Sequence, residues 1–136
     1  MVDLNKDIAE ILAPAGKVEL EFPDIKTATF PCISIVEVDN SEKYRAEGVE
    51  YTSDIVYQVD VWDKPQAQVR YKLDGDTELD EEVPLSTPEV IFMAIVQDVD
   101  TRMQAAGFRR VASRGLKEPS GLLRKMLQYR VIVLNN

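Results

Sequence analysis

The chain has 136 residues, 45% of them hydrophobic and 29% charged, which is the ordinary composition of one globular domain. It contains no histidine and a single cysteine, which excludes Ser-His-Asp and Cys-His catalysis, internal disulfides and thiolate metal cages; we expect Cys32 to be a buried structural thiol. No apolar run reaches the length of a membrane span, and the N-terminus lacks the features of a signal peptide, so we expect a soluble protein of a cytoplasm-like compartment.

The net charge of −8 is unevenly distributed along the chain. Residues 1–88 carry 8 Lys/Arg and 20 Asp/Glu, whereas residues 89–136 carry 8 and 4. A chain this acidic is not expected to bind DNA through its phosphates, because such binding requires a basic stripe. Two parts of opposite charge favour head-to-tail docking between copies, although a merely solvated acidic surface explains the same numbers.

The first predicted element is a short helix with Asp3 as its cap. Its apolar positions share the spacing of one helix face: Leu4, Ile8, Ile11 and Leu12. Residues 13–16 end it, and residues 17–22 then alternate polar and apolar side chains. Residues 30–38 predict the first core strand, which the turn-forming residues 39–42 are expected to break.

A long strand beginning at Tyr51 and ending near Trp62 is expected to organise the fold. Apolar side chains alternate with polar ones along it: Ile55, Tyr57, Val59 and Val61 against Asp54, Gln58 and Asp60. One face should therefore be buried and the other wet or turned towards a partner. Even ten residues of this strand would span about 33 Å, so it is either central or one arm of a long hairpin, and we expect it to pair antiparallel with residues 30–38. Residues 44–50 form a loop or the start of this strand.

Residues 64–85 predict an acidic hairpin that protrudes from the body. Residues 68–73 alternate as a strand, Asp74-Gly75-Asp76 is a turn signal, and residues 77–83 form the returning arm. The carboxylates between positions 74 and 82 could hold a divalent cation, but a solvated tip that resists edge-to-edge aggregation is the preferred interpretation.

The long helix of the chain is predicted from Thr87 or Ser86, as N-cap, to Gly107, as the residue after its end. Six apolar residues follow its period of 3.6: Ile91, Phe92, Ile95, Val96, Val99 and Met103. Phe108 should tuck under the helix end, residues 112–121 form a polar basic loop, and residues 122–134 form the last strand. The predicted fold is therefore α+β: one domain over residues 1–136, with a mostly antiparallel sheet, a long β-hairpin, one long helix packed across the sheet and a short N-terminal helix.

Three sequence motifs occur in this order along the predicted fold. They are Ser53-Asp54-Ile55-Val56-Tyr57-Gln58-Val59-Asp60-Val61-Trp62, then Met103-Gln104-Ala105-Ala106-Gly107-Phe108-Arg109-Arg110, then Met126-Leu127-Gln128-Tyr129-Arg130-Val131. Together they resemble the tail terminator proteins, also called tail completion or head–tail joining proteins, of long-tailed bacteriophages and prophages. The resemblance covers most of residues 1–63 and 86–136, whereas residues 65–85 depart from the shorter connection of that family.

The resemblance implies a structural virion protein rather than an enzyme, without cofactor or metal. Members of this family form a homo-oligomeric ring, a hexamer, that caps the tail tube, ends tail polymerisation and presents a surface to the head connector or stopper protein. DNA passes through such a ring without specific binding. The implied location is the neck of the virion, after assembly in the host cytoplasm. Three alternatives remain open: another neck component such as a head-completion or stopper protein, an acidic DNA mimic, and an enzyme with a magnesium-bound carboxylate set.

Seven residues are candidates for contacts between copies. Four are basic residues that could meet an acidic neighbour: Arg109, Arg110, Arg114 and Lys117. Asp54, Asp60 and the 74–82 segment are the candidate acidic counterparts, and an ordinary solvated basic surface is the alternative. Trp62, at the end of the long strand, is either the edge of the core or an interface anchor.

Overall fold

The computed structural model of the chain describes residues 3–24, 26–44, 51–64, 69–71, 83–86 and 88–135. These residues form two helices and two sheets, which confirms the predicted α+β class. In chain order the elements are α1 (Asn5–Leu12), β1 (Lys17–Leu20), β2 (Cys32–Tyr44), β3 (Tyr51–Asp63), β4 (Val69–Tyr71), β5 (Val83–Ser86), α2 (Pro88–Ala105), β6 (Arg109–Lys117) and β7 (Leu123–Asn135). Five strands form the main sheet in the order β1-β2-β3-β7-β6, antiparallel except for the parallel pair β1–β2.

β3 is the middle strand of the main sheet, which confirms that the long strand is central. It pairs antiparallel with β2 on one side and with β7 on the other. The predicted alternation holds as far as Val59, and four side chains of β3 are fully buried in the core beneath the two helices: Ile55, Tyr57, Val59 and Val61. It fails at the end of the strand, where Asp60 and Trp62 on the other face are buried as well. The other face of β3, which we call the open face, carries Asp54, Gln58 and Asp60.

β2 continues through residues 39–42, so the expectation that turn-forming residues break it was wrong. The pairing with β3 shifts register between Glu37 and Asp39, a β-bulge that leaves Val38 52% exposed. A bulge inserts one extra residue and reverses the phase of the alternation. The strand then runs on to Tyr44, opposite Tyr51, and residues 45–50 lie outside the described part of the chain.

α1 forms where its apolar spacing predicts it, with Ile8 and Leu12 fully buried against the sheet. The predicted cap is displaced by one residue: the N-cap position is Leu4, while Asp3 accepts a hydrogen bond from the Asn5 amide at 2.9 Å. The Leu4 amide instead donates to the hydroxyl of Tyr57 at 2.9 Å. The start of this short helix is thereby held by the central strand, which offsets the weakness of an isolated helix of this length.

α2 lies on the same face of the sheet and ends as predicted. Four of its side chains are buried, namely Phe92, Val96, Val99 and Met103, and together they contribute roughly 6–12 kcal/mol of transfer free energy before conformational entropy is subtracted. The Gly107 amide donates to the Gln104 carbonyl and the Phe108 amide to the Met103 carbonyl, each at 3.0 Å. This is a Schellman ending, and Gly107 adopts the positive φ of 97° that it requires. Phe108 is buried, as expected.

β6 is a strand where the sequence predicted a loop over residues 112–121. It pairs antiparallel with β7, and the connection is confined to residues 118–122. β6 lies at the edge of the sheet, and most of its side chains are exposed on both faces. An edge strand of this kind has no need of alternating polarity, so its sequence resembles that of a loop. The last strand, β7, agrees with its prediction, since Leu127 and Tyr129 are buried.

Most of the predicted acidic hairpin falls outside the described residues. Its described parts are β4 and β5, which pair antiparallel and form the second sheet. The turn predicted at residues 74–76 and the carboxylates between positions 74 and 82 lie outside them.

Candidate functional site

The two edges of the main sheet carry opposite charge. β6 forms one edge, and its residues Arg109–Lys117 include four cations and no carboxylate; we call this strand the basic edge. β1 forms the other edge, beside α1. β1 itself carries one lysine and one glutamate, but with α1 and the flanking turns it belongs to residues 3–24, which hold 6 Asp/Glu and 2 Lys and which we call the acidic edge. The fold therefore turns the uneven charge of the sequence into a polarity across one sheet.

The cations of the basic edge point to solvent. Arg109, Arg114 and Lys117 are exposed, and within the part of the chain that the structure describes they form no ion pair. Arg110 differs, because its Nη1 lies 3.1 Å from Oδ2 of Asp100 in the same chain. Three of the four predicted basic contact residues thus have their charge available to a neighbour.

An exposed apolar side chain accompanies the charges on each edge. Leu20, the last residue of β1, is 60% exposed and lies in sequence between Glu19 and Glu21. On the basic edge, Val111 is 49% exposed and follows Arg110 at the shift in register with β7. Each edge therefore combines an excess of one charge with an apolar residue that is exposed to water in the single chain.

Asp54, a predicted acidic contact, is paired on the open face of the sheet. Its Oδ1 accepts a hydrogen bond from Nε of Arg130, on the neighbouring strand β7, at 2.7 Å. The hydrogen bond with Asp54 and the charge of its carboxylate raise the pKa of Arg130. The carboxylate is largely covered by this pair, with 17% of the side chain exposed.

Asp60, the second predicted acidic contact, lies inside the chain rather than on its surface. The residue is 1% exposed, and its Oδ2 accepts from Nε of Arg124 at 2.6 Å while its Oδ1 accepts from the side-chain Nε2 of Gln58 at 2.8 Å. Arg124 also donates to Glu118 at 2.8 Å. Burial alone would lower the pKa of Arg124, but its hydrogen bonds to Glu118 and Asp60 outweigh burial and raise it. The Asp60 carboxylate is therefore occupied within its own chain.

Trp62 belongs to the same cluster, and of its two predicted roles the structure gives it the core-edge one within the single chain. It is 4% exposed, and its indole Nε1 donates to Oγ of Ser34 at 3.0 Å. The guanidinium carbon of Arg124 lies 4.3 Å from the ring centroid, in cation–π geometry. Phe22, 58% exposed, meets the indole edge-on at 6.2 Å between centroids.

The second and third sequence motifs meet in another polar network. Tyr129, fully buried on β7 opposite Tyr57 of β3, donates its hydroxyl to Oδ1 of Asp100 at 2.8 Å. Burial, and then the hydrogen bond and charge of Asp100, raise the pKa of Tyr129. Arg110 binds the other oxygen of Asp100. The network thus ties the start of β6 and the middle of β7 to helix α2.

Five charged or tyrosine side chains of these clusters were not predicted as site residues: Asp100, Glu118, Arg124, Tyr129 and Arg130. One signal was present, because the even positions of β7 are largely polar or charged from Arg124 to Arg130 and therefore predict a polar face. Their partners on β3 are 64 to 76 residues away in sequence, and only the register between the two strands identifies them.

Neither cluster offers a metal site, and among the described residues no group of three or more Cys, Asp or Glu side chains is placed to hold a metal ion. Cys32 is buried, as predicted, and burial raises its pKa to about 11, so its thiol stays protonated at neutral pH. Neither helix in the described ranges has both the length and the apolar character needed to cross a membrane. No protein-family model matches the chain, and no curated protein matches it either.

Proposed function

We propose that the chain is a structural protein of the phage neck that caps the tail tube as a ring of copies, ends tail polymerisation and joins the tail to the head. The observation that carries this proposal is that the three sequence motifs that resemble tail terminator proteins lie next to one another in the fold. They occupy the central strand, the junction of α2 with β6, and the last strand. The Asp100, Arg110 and Tyr129 network connects the last two of these, and Tyr57 and Tyr129 join the first to the third.

Residues of the second and third motifs have structural roles in this fold. Gly107 and Phe108 end the helix, and Tyr129 and Arg110 hold that helix to the sheet. Residues with such roles support a common fold, from which the function of the family follows by resemblance. The polarity between the two edges supports the same conclusion, because a closed ring needs two different surfaces on every copy.

An acidic protein also suits a channel for DNA. The lumen of a neck ring must let the duplex slide, and a wall that attracted phosphates would hold it. The formal net charge of −8 disfavours such binding. We therefore propose that DNA passes through the ring without binding to it specifically.

Capping of tail tubes tests the proposal directly. The tail-tube protein encoded in the same genome is polymerised with and without the purified chain, and tube lengths are measured by electron microscopy. We expect shorter tubes with a ring at one end, whereas an unrelated acidic protein of similar size has no effect. Unchanged tubes, together with absence of the chain from virions by mass spectrometry, would overturn the proposal. Binding to portal-bearing heads instead of tubes would assign the chain to the head-completion or stopper class.

A further inference from the structure

We propose that copies of this chain join through opposite edges of the main sheet, the basic edge of one copy against the acidic edge of the next. The partner of β6 is thus a second copy of the chain, and the sheet continues from one copy into its neighbour. The proposal deepens the ring function, on which it rests for the closed assembly, but the edge contact can be measured independently of tails.

The β6 backbone has one side without a partner strand among the described residues. This strand has nine residues, about 30 Å of extended chain, and within the described sheet it is hydrogen-bonded only to β7. The outer edge of such a strand presents unpaired amides and carbonyls that can accept another strand. Proteins protect long edges of this kind or use them for pairing.

The charges of β6 restrict which strand can pair with it. Two basic edges repel each other, so a symmetric contact of β6 with a second β6 is disfavoured. The acidic edge, with its excess of carboxylates, is the complementary surface on the same molecule. Because the two surfaces lie on opposite sides of one sheet, the contact is head-to-tail, and repetition of it gives a ring or a filament.

Each edge also exposes an apolar residue. Leu20 is flanked by Glu19 and Glu21, and Val111 is preceded by Arg109 and Arg110. A contact of the two edges would remove both exposed apolar side chains from water while opposite charges surround them. Cations that served only to keep the edge from aggregating would not need an acidic counterpart with its own exposed apolar residue.

Charge reversal on each edge tests the contact. Arg114→Glu reverses a charge on the basic edge and Glu21→Lys reverses one on the acidic edge; both side chains are exposed, and circular dichroism checks that each variant folds. Molar mass is measured by light scattering over a range of concentrations at low salt. We expect each single variant to raise the dissociation constant of the assembly by about tenfold or more, since attraction is replaced by repulsion.

Mixing the two single variants separates an interface effect from a folding effect. In an alternating assembly the reversed basic edge of one variant meets the reversed acidic edge of the other, so the mixture should regain the wild-type mass. Lys26→Glu is the matched control: it changes the net charge by the same amount as Arg114→Glu, but at an exposed turn away from β6. We expect it to leave assembly intact.

Each other outcome overturns the edge contact. Wild-type mass in both reversed variants, no recovery on mixing, or equal losses in Lys26→Glu and Arg114→Glu would each contradict it. A wild-type chain that stays monomeric at low salt contradicts it too. If rings form on tail tubes but ignore both reversals, the proposed function stands and this contact fails. If the edges pair as described but tubes are not capped, the contact stands and the neck function fails.

Discussion

Replacement of Arg124 by methionine should destabilise the chain more than any other change of a surface-accessible charge. Arg124 bridges Asp60 and Glu118 and covers the indole of Trp62. Methionine retains most of the aliphatic volume, so the packing is largely kept while the charge is removed. The Asp60 carboxylate, 1% exposed, would then be left buried without its cation.

The expected loss in the free energy of unfolding follows from the unpaired, buried carboxylate of Asp60. Breaking a buried ion pair by removing one partner typically costs about 3–5 kcal/mol, because the remaining charge stays desolvated. Solvent screening relieves little of this, since the Arg124 side chain is only 16% exposed. A domain of this size has a free energy of unfolding of about 5–15 kcal/mol, so the loss is a large share of the total. The double variant Asp60→Asn with Arg124→Met should regain about 2 kcal/mol, because the buried charge is gone.

Urea denaturation followed by far-ultraviolet circular dichroism measures both values. Trp62, the single tryptophan, provides a second and local signal by fluorescence. Arg130→Met is the control, because it breaks the more exposed pair with Asp54 and should cost much less. A loss below about 1 kcal/mol in Arg124→Met, or a double variant no more stable than the single one, would refute the reasoning.

Three further predictions concern single side chains. The pKa of Tyr129 is raised, so the folded chain holds the phenol proton more tightly than the unfolded chain. The resulting stabilisation is complete below about pH 10, the pKa of tyrosine in the unfolded chain, and is lost as the pH rises towards the pKa in the folded chain. Tyr129→Phe should therefore reduce the fall in unfolding free energy between about pH 8 and pH 11 by about 1 kcal/mol. Burial raises the pKa of Asp63, and within the described residues its carboxylate accepts a hydrogen bond only from the Lys64 backbone amide. The ionised carboxylate therefore destabilises the fold at neutral pH. Asp63→Asn should raise the melting temperature at pH 7, and the gain should disappear below about pH 4, where the carboxyl of the original chain is protonated. Gly107→Ala places an L residue at a φ of 97° with nothing within 4 Å of the added methyl, so strain alone should cost about 1 kcal/mol in urea denaturation, and an unchanged midpoint would contradict that.

The parts of the fold that the sequence predicted are those decided by local periodicity. The burial of Tyr57 and Val59 follows from alternation within β3, and the end of α2 follows from the backbone freedom of Gly107. Both signals lie within a few residues of the element that they define. They hold because one face of each element is buried by the rest of the chain.

The parts that were missed depend on neighbours far away in sequence. The bulge at Val38 reverses the alternation, so β2 looked shorter than it is. β6 shows no alternation because it lies at an edge. Asp60 looked like a surface carboxylate because its partner, Arg124, is 64 residues further on and is placed only by the register of β3 with β7. The exposure of the candidate contact residues of β6 could be predicted without knowing the strand register, because most side chains of this edge strand are exposed.

The central claim, that copies of this chain assemble through complementary edges, is tested most directly by native mass spectrometry of the purified wild-type protein at low ionic strength. We expect one dominant closed assembly at about six times the chain mass of 15.4 kDa, which dissociates as salt screens the edges. A spectrum of monomers alone at every concentration and ionic strength would contradict it.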